Sequence, residues 1–431
     1  MQSESFAFLA SVREPMRQAV EARRRRQRGW QQWERRAFER LRDLIVGDAQ
    51  LVPAHPQVTT QEDQIVWARS PVRLDLAGGW TDTPPYCLEY GGKVVNLAAD
   101  LNGQPPIQVF ARVVPQTEIV LRSIDLGEEV RLRHYADVEN FGAPFTPFAL
   151  ARAALALAGF VPRFHARGGH SSLQRHLREF GGGLEITQLS AVPKGSGLGA
   201  SSILAATLLA ALNDLCGLQW DKNMLAARTL AMEQLLTTGG GWQDQAGAIY
   251  SGVKLLQTAP GLRQNIQVRW LPEHLFQPEY LNHRVLLYYT GITRLAKNIL
   301  QEIVRQIFLD SPTHLETLAA IGRNAEATFD AIQRCDYEGL AHCVKRSWQL
   351  NQALDSGTNP PPIQHLLERV GKHLAAAKLL GAGGGGFLLM LAKDEKAAAE
   401  IRRHLTRHPP NPRARFVRLS LSETGLQVTR S

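Results

Sequence analysis

The segment Pro193-Lys194-Gly195-Ser196-Gly197-Leu198-Gly199-Ala200-Ser201-Ser202 joins a predicted strand, Leu184–Leu189, to a predicted helix, Ala200–Leu215, that is apolar on nearly every side. Glycines let a backbone approach an anion closely, and the N-terminus of the following helix directs its unpaired amides at the same point. This pattern favours a phosphate site over the alternative, a tight turn with a serine cap. The residues predicted to hold phosphate are Lys194, Gly195, Ser196, Gly197, Leu198, Gly199, Ala200, Ser201 and Ser202.

A second glycine cluster, Gly381–Gly386, contains a formal G-x-G-x-x-G. This fingerprint of dinucleotide binding needs a strand before it and a helix after it. We expect the reverse order, with a helix over His373–Leu380 and a strand over Phe387–Leu391. The sequence therefore predicts a glycine loop that packs closely against a ligand or the other half of the molecule, rather than a dinucleotide site.

Two further segments carry charged side chains that could reach a ligand. The predicted strand Val72–Ala77 has Arg73 and Asp75 on one face and leads into the loop that contains Asp82. These side chains form either an ion pair at the edge of a sheet or part of a cleft. In the cleft, Arg73 would face the ligand and Asp82 would accept hydrogen bonds from a polyol.

The loop Gly239–Gly247 contains Asp244, eleven positions after Glu233 on the predicted helix Leu225–Leu236. Taken singly, Asp244 is typical of a turn or a helix cap, and Glu233 is typical of a solvated surface. Their interest comes from their combination with the glycine-rich phosphate segment.

The order of predicted elements indicates the fold class. Short strands dominate from Ile65 to Leu189, and helices dominate from there to Leu380. Strands that cluster early and helices that cluster late are typical of an α+β fold, here in two halves. We expect boundaries at residues 1–60, 61–258 and 259–431.

The first sixty residues have a different character from the rest. The basic run Arg23–Arg28 leads into a helical pattern that ends near Gly47. The apolar residues at helical spacing are Trp30, Trp33, Ala37, Leu41 and Leu44. We favour a solvated helix whose tryptophans dock on the main body over an arm that binds nucleic acid. The net charge of +9 allows an anionic partner of either macromolecular or metabolite size.

Composition argues against several other classes of protein. The four cysteines are far apart and never form Cys-x-x-Cys, which disfavours a disulfide framework and a zinc ribbon and fits a reducing cytoplasm. The longest apolar stretch, Ile203–Leu212, is too short to cross a bilayer. The N-terminus lacks the basic and apolar regions of a secretion signal. We therefore expect a cytoplasmic protein without a membrane or nucleic-acid partner.

Three segments together resemble the motifs of the galacto-, homoserine, mevalonate and phosphomevalonate (GHMP) kinase superfamily. Arg73–Asp82 resembles the first motif, Pro193–Ser202 the second and Gly381–Gly386 the third, in the order of the family. The resemblance implies a two-lobed α+β kinase, with a lobe similar to ribosomal protein S5 over 61–258 and a ferredoxin-like lobe over 259–431. It implies ATP and Mg²⁺ as cofactors and a small-molecule alcohol as acceptor.

The resemblance also implies roles for individual residues. Asp244 matches the catalytic aspartate, and Arg73 matches the arginine that faces it. Ser201, with Ser202 as the neighbouring possibility, and Glu233 match the magnesium ligands. The residues implied to contact the sugar are Asp82, Gly79, Thr290, Gly383 and Gly384.

Within the superfamily, the segments Asp75–Pro85, Glu89–Asn96 and Tyr289–Asn298 most resemble those of L-fucose kinases. Galactokinases have Gly-Glu-His-Thr-Asp where this chain has Gly-Gly-Trp-Thr-Asp, so galactose is not expected. The alternative is a heptose kinase, although that loop usually reads Gly-Gly-Gly-Thr-Asp without the Pro84-Pro85 pair. The implied reaction is ATP-dependent phosphorylation of the anomeric hydroxyl of L-fucose, with any later nucleotidyl transfer left to a separate enzyme.

Overall fold

A computed structural model describes residues 7–48, 52–143, 146–236, 240–292 and 296–431. Three parts of the predicted features lie outside these ranges: residues 1–6 of the N-terminal extension, Gly239 of the loop before Asp244, and 293–295 of the segment that begins at Tyr289.

The described residues form fifteen α-helices and fifteen strands, which confirms the α+β class. The helices are α1 (Ala7–Arg24), α2 (Trp30–Asp48), α3 (Tyr86–Tyr90), α4 (Tyr135–Glu139), α5 (Ala149–Leu155), α6 (Leu173–Phe180), α7 (Ala200–Leu215), α8 (Lys222–Leu235), α9 (Gln243–Ile249), α10 (Pro278–Arg284), α11 (Ala296–Phe308), α12 (Pro312–Gln333), α13 (Tyr337–Leu354), α14 (Pro361–Val370) and α15 (Glu395–Arg407). The strands are β1 (Val66–Ser70), β2 (Val72–Ala77), β3 (Lys93–Leu101), β4 (Ile107–Val114), β5 (Ile119–Ser123), β6 (Glu128–Leu132), β7 (Gly183–Ser190), β8 (Val253–Gln257), β9 (Gln267–Trp270), β10 (Val285–Tyr289), β11 (Leu374–Leu379), β12 (Phe387–Ala392), β13 (Arg415–Val417), β14 (Leu419–Leu421) and β15 (Gln427–Arg430).

The described strands form three sheets. One has the order β15-β1-β4-β7-β5-β6, in which β5 and β7 run parallel and the other neighbours antiparallel. A second has the order β14-β3-β8-β9, with β2 also paired to β3, and a third has the order β11-β12-β10-β13. The strands β14 and β15 thus return from the end of the chain to sheets whose other strands all lie before residue 271. The buried helix α7 packs on β1 and β4 of the first sheet.

The N-terminal segment is a helical hairpin, α1 and α2, that turns at the basic run Arg23–Arg28. This run is exposed, as a solvated surface would be. The prediction that tryptophans dock this segment is wrong for Trp33, whose exposed fraction is 38%. Trp33 lies in the first turn of α2, next to the hairpin turn. The residues of α2 that are buried further along are Ala37, Leu41 and Ile45. None of the described helices is both long and apolar enough to cross a membrane.

The predicted helix over His373–Leu380 is wrong, because residues Leu374–Leu379 form the strand β11. The alanines and leucines of this segment favour a helix locally. Pairing with β12 and packing against α13 override that preference. The glycine cluster Gly381–Gly386 therefore connects two antiparallel strands, and the helix that a dinucleotide fingerprint needs after it is replaced by β12.

A buried ion pair joins β11 to β2. The Lys378 ammonium donates to Asp75 Oδ2 at 3.0 Å and to Ser347 Oγ of α13 at 3.3 Å. The side chains of Lys378 and Asp75 are 0% and 2% exposed. Burial lowers the pKa of Lys378, and the nearby Asp75 carboxylate opposes that effect. Because neither charge is exposed to water, each needs the other as its ionic partner. The pair therefore fixes the position of β11 against β2.

We predict that Lys378→Met destabilises the protein by about 3–5 kcal/mol, because it leaves Asp75 as a buried charge without its cation. Urea unfolding followed by circular dichroism measures the loss. The matched control is Lys93→Met, which removes the exposed pair Lys93–Glu326 and should cost no more than about 1 kcal/mol. The added change Asp75→Leu should recover part of the Lys378→Met loss. Equal losses for the two lysine variants would contradict the structural role of the buried pair.

Candidate active site

A cavity of about 470 Å³ lies where four segments converge: β2 with the loop after it, the loop before α7, the loop before α9, and the glycine loop between β11 and β12. It is lined by Arg73, Asp75, Gly79, Trp80, Asp82, Thr83, Gly197, Gly199, Ser201, Leu236, Gly240, Gly241, Gln243, Asp244, Leu300, Gly381 and Ala382. Residues from all three family-like motifs, and from the loop before α9, thus meet in one place although they lie far apart in the chain.

The Arg73 guanidinium organises this convergence. Its Nε donates to Asp244 Oδ1 at 2.8 Å, its Nη2 lies 2.7 Å from the same oxygen as the ion pair, and its Nη1 donates to the carbonyl of Gly197 at 2.6 Å. Arg73 is almost fully buried, with 3% of its side chain exposed, whereas 28% of the Asp244 side chain is exposed. Arg73 therefore faces Asp244 from the protein side and leaves part of the carboxylate open to the cavity. The alternative in which Arg73 pairs with Asp75 is wrong, because Asp75 binds Lys378.

Asp82 is buried against the loop before α9. It accepts hydrogen bonds from the backbone N–H of Trp80 and from the backbone N–H and side-chain amide of Gln243, each at 3.1 Å. Burial raises the pKa of Asp82 to about 7, and the nearby Asp244 charge adds to this increase. A side chain at Gly241 would overlap Asp82 Oδ2, so a glycine is needed for this close approach.

Glu233 of α8 lies beside the start of α7. The hydroxyl of Ser202 donates to Glu233 Oε1, so the structure pairs this glutamate with the second serine of the segment. Ser201 is exposed and lines the cavity instead. Burial raises the pKa of Glu233 to about 8, the bond from Ser202 opposes this, and the charges of Asp244 and Asp82 add to it.

The glycine-rich segment forms a turn in front of α7, as the sequence predicted. Gly199 occupies the N-cap of α7 with φ +74°, a left-handed conformation that favours glycine. Within the described residues no side-chain cap is present at the N-cap of this helix, so the alternative of a turn with a serine cap is not observed. A Cβ at Gly199 would lie 2.9 Å from Cγ of Asp244, which places the open N-terminus of α7 directly against that carboxylate.

The other predicted phosphate residues divide into exposed and buried ones. Lys194 and Gly195 are exposed. Leu198 belongs to the core, and Ser196 is buried with its carbonyl accepting from the backbone of Phe387 at 2.9 Å. Only Gly197, Gly199 and Ser201 of the segment line the cavity.

Three of the predicted sugar contacts lie away from the cavity wall. Thr290 is fully buried, and its hydroxyl donates to the carbonyl of Gly386 at 2.9 Å. Gly383 packs against Thr358, and the backbone N–H of Gly384 donates to the Thr358 carbonyl at 2.8 Å. The same loop reaches the cavity through Gly381 and Ala382 instead. Gly79 and Asp82 do line it.

Sequence reasoning missed the apolar part of the wall and one polar residue, Gln243. Trp80, Leu236, Leu300 and Ala382 supply apolar surface. Their hydrophobicity carries no signal that separates a cavity wall from a core. Gln243 lies next to Asp244 and was detectable as a polar residue in the same glycine-rich loop.

The oxygen donors of this site fit a hard divalent cation. The hydroxyls of Ser201 and Ser202 and the carboxylates of Glu233 and Asp244 surround the start of α7, and Mg²⁺ prefers such ligands. The raised pKa values of Glu233 and Asp82 reflect carboxylates that are crowded together out of water. A cation among them would relieve this repulsion.

The chain is similar to two curated proteins. The chain is 52% identical over 399 residues to the L-fucokinase/L-fucose-1-P guanylyltransferase of Bacteroides fragilis, a match that covers 92% of this chain and 42% of that protein. It is 34% identical over 344 residues to the bifunctional fucokinase/GDP-fucose pyrophosphorylase of Arabidopsis thaliana, covering 78% and 31%. The chain thus spans less than half the length of these curated relatives.

A solved structure shares the fold at lower identity. The D-glycero-D-manno-heptose 1-phosphate kinase of Bacteroides thetaiotaomicron superposes with a TM-score of 0.59 at 19% identity, over 84% of this chain and 98% of that one. Residues 168–252 match the GHMP kinases N terminal domain, and residues 328–411 match the GHMP kinases C terminal domain. The chain thus carries the N-terminal and C-terminal domains of the GHMP kinases in order, and residues of the three motifs lie around one cavity.

Proposed function

We propose that this protein is an ATP-dependent sugar kinase that phosphorylates the anomeric hydroxyl of L-fucose and releases L-fucose 1-phosphate and ADP. The observation that carries the proposal is the Arg73–Asp244 pair, which sits against the uncapped N-terminus of α7 in the same cavity as Asp82. Phosphoryl transfer depends mainly on positioning and charge stabilisation, and this arrangement provides both.

The triphosphate of ATP binds along the glycine-rich segment. The backbone amides at the start of α7 have no side-chain cap within the described structure, and the positive end of the helix dipole favours phosphate there. Gly197 and Gly199 allow the close approach, and the exposed Lys194 and Ser201 supply a charge and a hydroxyl.

Asp244 positions the acceptor hydroxyl. Because part of its carboxylate faces the cavity, Asp244 accepts a hydrogen bond from the anomeric hydroxyl and takes its proton as the new bond to the γ-phosphorus forms. The bond between the γ-phosphorus and the bridging oxygen breaks, and ADP leaves. Arg73 holds Asp244 in place and offsets negative charge next to the transferred group.

Asp82 and Gly79 contact the sugar beside Asp244. Among the described residues, Oδ2 of Asp82 accepts only from the backbone N–H of Gln243 and can accept a second hydrogen bond from a sugar hydroxyl, while the bonds from Trp80 and the Gln243 side chain to Oδ1 fix the carboxyl group. A side chain at Gly79 would collide with Asp75, so glycine is needed for the close approach of this loop to Asp75 at the cavity wall. Thr290, Gly383 and Gly384 act at a distance by shaping the glycine loop that closes this side of the cavity.

We assign Mg²⁺ to Glu233 and to the serine hydroxyls of Ser201 and Ser202. When bound, it neutralises charge on the β- and γ-phosphate oxygens. Glu233 is held for this role by α8 and by the bond from Ser202.

L-Fucose is favoured by the names of the relatives and by the apolar part of the wall. L-Fucose carries a methyl group where L-galactose carries a hydroxymethyl group. Trp80, Leu236 and Leu300 offer apolar surface in the same cavity as Asp82, which suits such a methyl group. We also propose that residues 61–258 and 259–431 act as the two kinase lobes behind a helical extension over 1–60.

We predict the highest kcat/KM on L-fucose among L-fucose, D-arabinose, L-galactose, D-galactose and a heptose. D-Arabinose shares the ring stereochemistry of L-fucose but lacks the methyl group, and L-galactose adds a hydroxyl to it. The kcat/KM of both should be lower by roughly 10-fold to 200-fold, which is the discrimination that one small apolar contact provides. Coupled detection of ADP with loss of the reducing end measures this. Preference for the heptose would replace the fucose assignment by the heptose one, and no turnover on any sugar would overturn the kinase proposal.

We predict that Asp244→Asn lowers kcat on L-fucose by about 10²–10⁴-fold, because it removes the proton acceptor, while ATP still binds. Single-turnover kinetics and fluorescent-nucleotide titration separate the two effects. The matched control is Asp214→Asn, which breaks a half-exposed pair in which Arg430 Nε lies 2.7 Å from Asp214. Near-normal turnover of Asp244→Asn would remove Asp244 from the mechanism.

We predict that Glu233→Gln raises the free energy of unfolding of the metal-free protein and also raises the Mg²⁺ concentration that the kinase reaction requires. A carboxyl whose pKa is higher in the folded state loses stability as pH rises from about 4.5, its unfolded value, to about 8, its folded one. In EDTA at pH 8, Glu233→Gln should gain at least about 1.4 kcal/mol, the value of one pKa unit, and this gain should shrink toward pH 4.5.

In the kinase assay the same variant should need more Mg²⁺ for half-maximal rate. Glu400→Gln, an exposed glutamate, is the control for both measurements. An unchanged magnesium titration would show that Glu233 is not a metal ligand.

A further inference from the structure

A cluster of three histidines lies outside the cavity, in the segment between α5 and the middle of α6. His165, His170 and His176 each offer a ring nitrogen, and these nitrogens all lie within 4.8 Å of one another. Within the described residues this is the one group of three such side chains close enough to share a metal ion. The three positions fall within twelve residues of sequence, so the segment can fold into a site by itself.

We propose that His165, His170 and His176 bind one zinc ion. Neutral imidazole is a favoured ligand of Zn²⁺, and three histidines leave a fourth position of the tetrahedron for water or another group. Bonds of 2.0–2.1 Å at tetrahedral angles need nitrogens about 3.4 Å apart, so the rings must move together by about an ångström. This site has no hard oxygen cage and is chemically distinct from the carboxylates of the cavity.

The partners of two of the rings already suit metal binding. Nδ1 of His170 lies 3.1 Å from a carboxylate oxygen of Glu179 on α6. A proton on this nitrogen leaves the lone pair of Nε2 free, the arrangement in which a carboxylate orients a metal-bound histidine. Nδ1 of His176 lies 3.4 Å from the hydroxyl of Tyr135, which can hold a proton there in the same way.

His165 is the ligand whose present contacts must change. Its Nδ1 accepts hydrogen bonds from the backbone N–H groups of Arg167 and Gly169 at 3.1 Å and 3.2 Å. A metal at this lone pair replaces both bonds. The loop can open, since Ala166 and Arg167 are exposed and Gly169 takes φ +77°. The released amides then bind water.

The charge state of the rings also favours a metal over protons. His176 is buried against Phe160, with ring centroids 5.3 Å apart, and burial lowers its pKa to about 4. Burial and the charge of His170 lower the pKa of His165. The ionisable groups outside the cluster that affect the pKa values of His165 and His176 are Glu179, His55 and Arg167. The direction of both pKa shifts agrees with the neutral imidazoles that metal binding requires.

Cobalt(II) is the probe for this site, because a tetrahedral complex with nitrogen ligands absorbs strongly in the visible range. The full chain is stripped with EDTA, dialysed, and titrated with CoCl₂ in excess MgCl₂ and without nucleotide, so that oxygen-ligand sites are filled. We expect saturation at one equivalent and loss of the band when ZnCl₂ is added. The absence of a stoichiometric complex would overturn the proposal.

Variants assign the signal to the cluster. His170→Ala changes a half-buried ring, and His176→Gln changes a buried one, so far-UV circular dichroism checks that each variant folds. Either should weaken Co²⁺ binding at least 10-fold, and Glu179→Gln should weaken it 10–100-fold through its effect on His170.

His283→Ala is the matched control, because His283 pairs with Glu395 at 2.7 Å but belongs to no such cluster among the described residues. Binding that survives in His170→Ala, or that disappears in His283→Ala, would contradict the assignment. The metal titration requires no kinase activity, so its outcome is independent of the proposed function.

Discussion

The contact on which the cavity depends is the ion pair between Arg73 and Asp244, in which Nε of Arg73 also donates a hydrogen bond. The guanidinium also binds the carbonyl of Gly197, so one side chain connects β2, the start of α9 and the turn before α7. Along the chain, Arg73 lies 171 residues from Asp244 and 124 residues from Gly197, so packing of α7 and α9 must bring these partners together. The buried Arg73 makes a hydrogen bond and an ion pair to Asp244 and a hydrogen bond to Gly197. Because the planar guanidinium loses little conformational freedom when it binds, these contacts give the three segments a defined geometry.

A second buried cation, Lys378, also connects segments that lie far apart in the chain. Lys378 on β11 binds Asp75 on β2, only two residues after Arg73 and beside the same cavity. The two charged residues of β2 thus have different partners. Arg73 binds Asp244 of α9, and Asp75 binds Lys378 of the third sheet. Apolar contacts add to this junction, since Trp80 packs with Ile299 and Ile303 of α11. The position of the glycine loop at the cavity follows from these contacts.

Local patterns in the sequence predicted much of this arrangement. The helix α7 and the strand β2 were predicted to the residue, since α7 is a long apolar run that follows a glycine-rich turn and β2 is a short alternating strand. The motifs single out Arg73, Asp82, Glu233 and Asp244, and the cavity brings three of them to its wall. The pairing of Ser202 with Glu233 could not be predicted, because it depends on the rotation of α7 against α8.

The errors arose where tertiary contacts overrode local preference. The segment Leu374–Leu379 reads as a helix from its alanines, yet it is a strand because β12 and α13 enclose it. This error concealed Lys378, since a lysine on a predicted surface helix attracts no notice. The sugar contacts at Thr290 and Gly383 were transferred from motif position alone, and hydrogen bonds within the protein use Thr290 instead.

The balance of charge in the cavity explains how the free protein accommodates several carboxylates close together. Among the described residues, four carboxylates, from Asp75, Asp82, Glu233 and Asp244, meet two buried cations, so full ionisation would leave two negative charges in a poorly hydrated space. The raised pKa values of Asp82 and Glu233 show how the free protein meets this cost, because near neutral pH protons occupy part of both groups. In the proposed function, a divalent cation that arrived with a nucleotide would displace those protons, and its binding would therefore be coupled to proton release. The carboxylates that would hold the cation are thus the groups whose burial costs the free protein most.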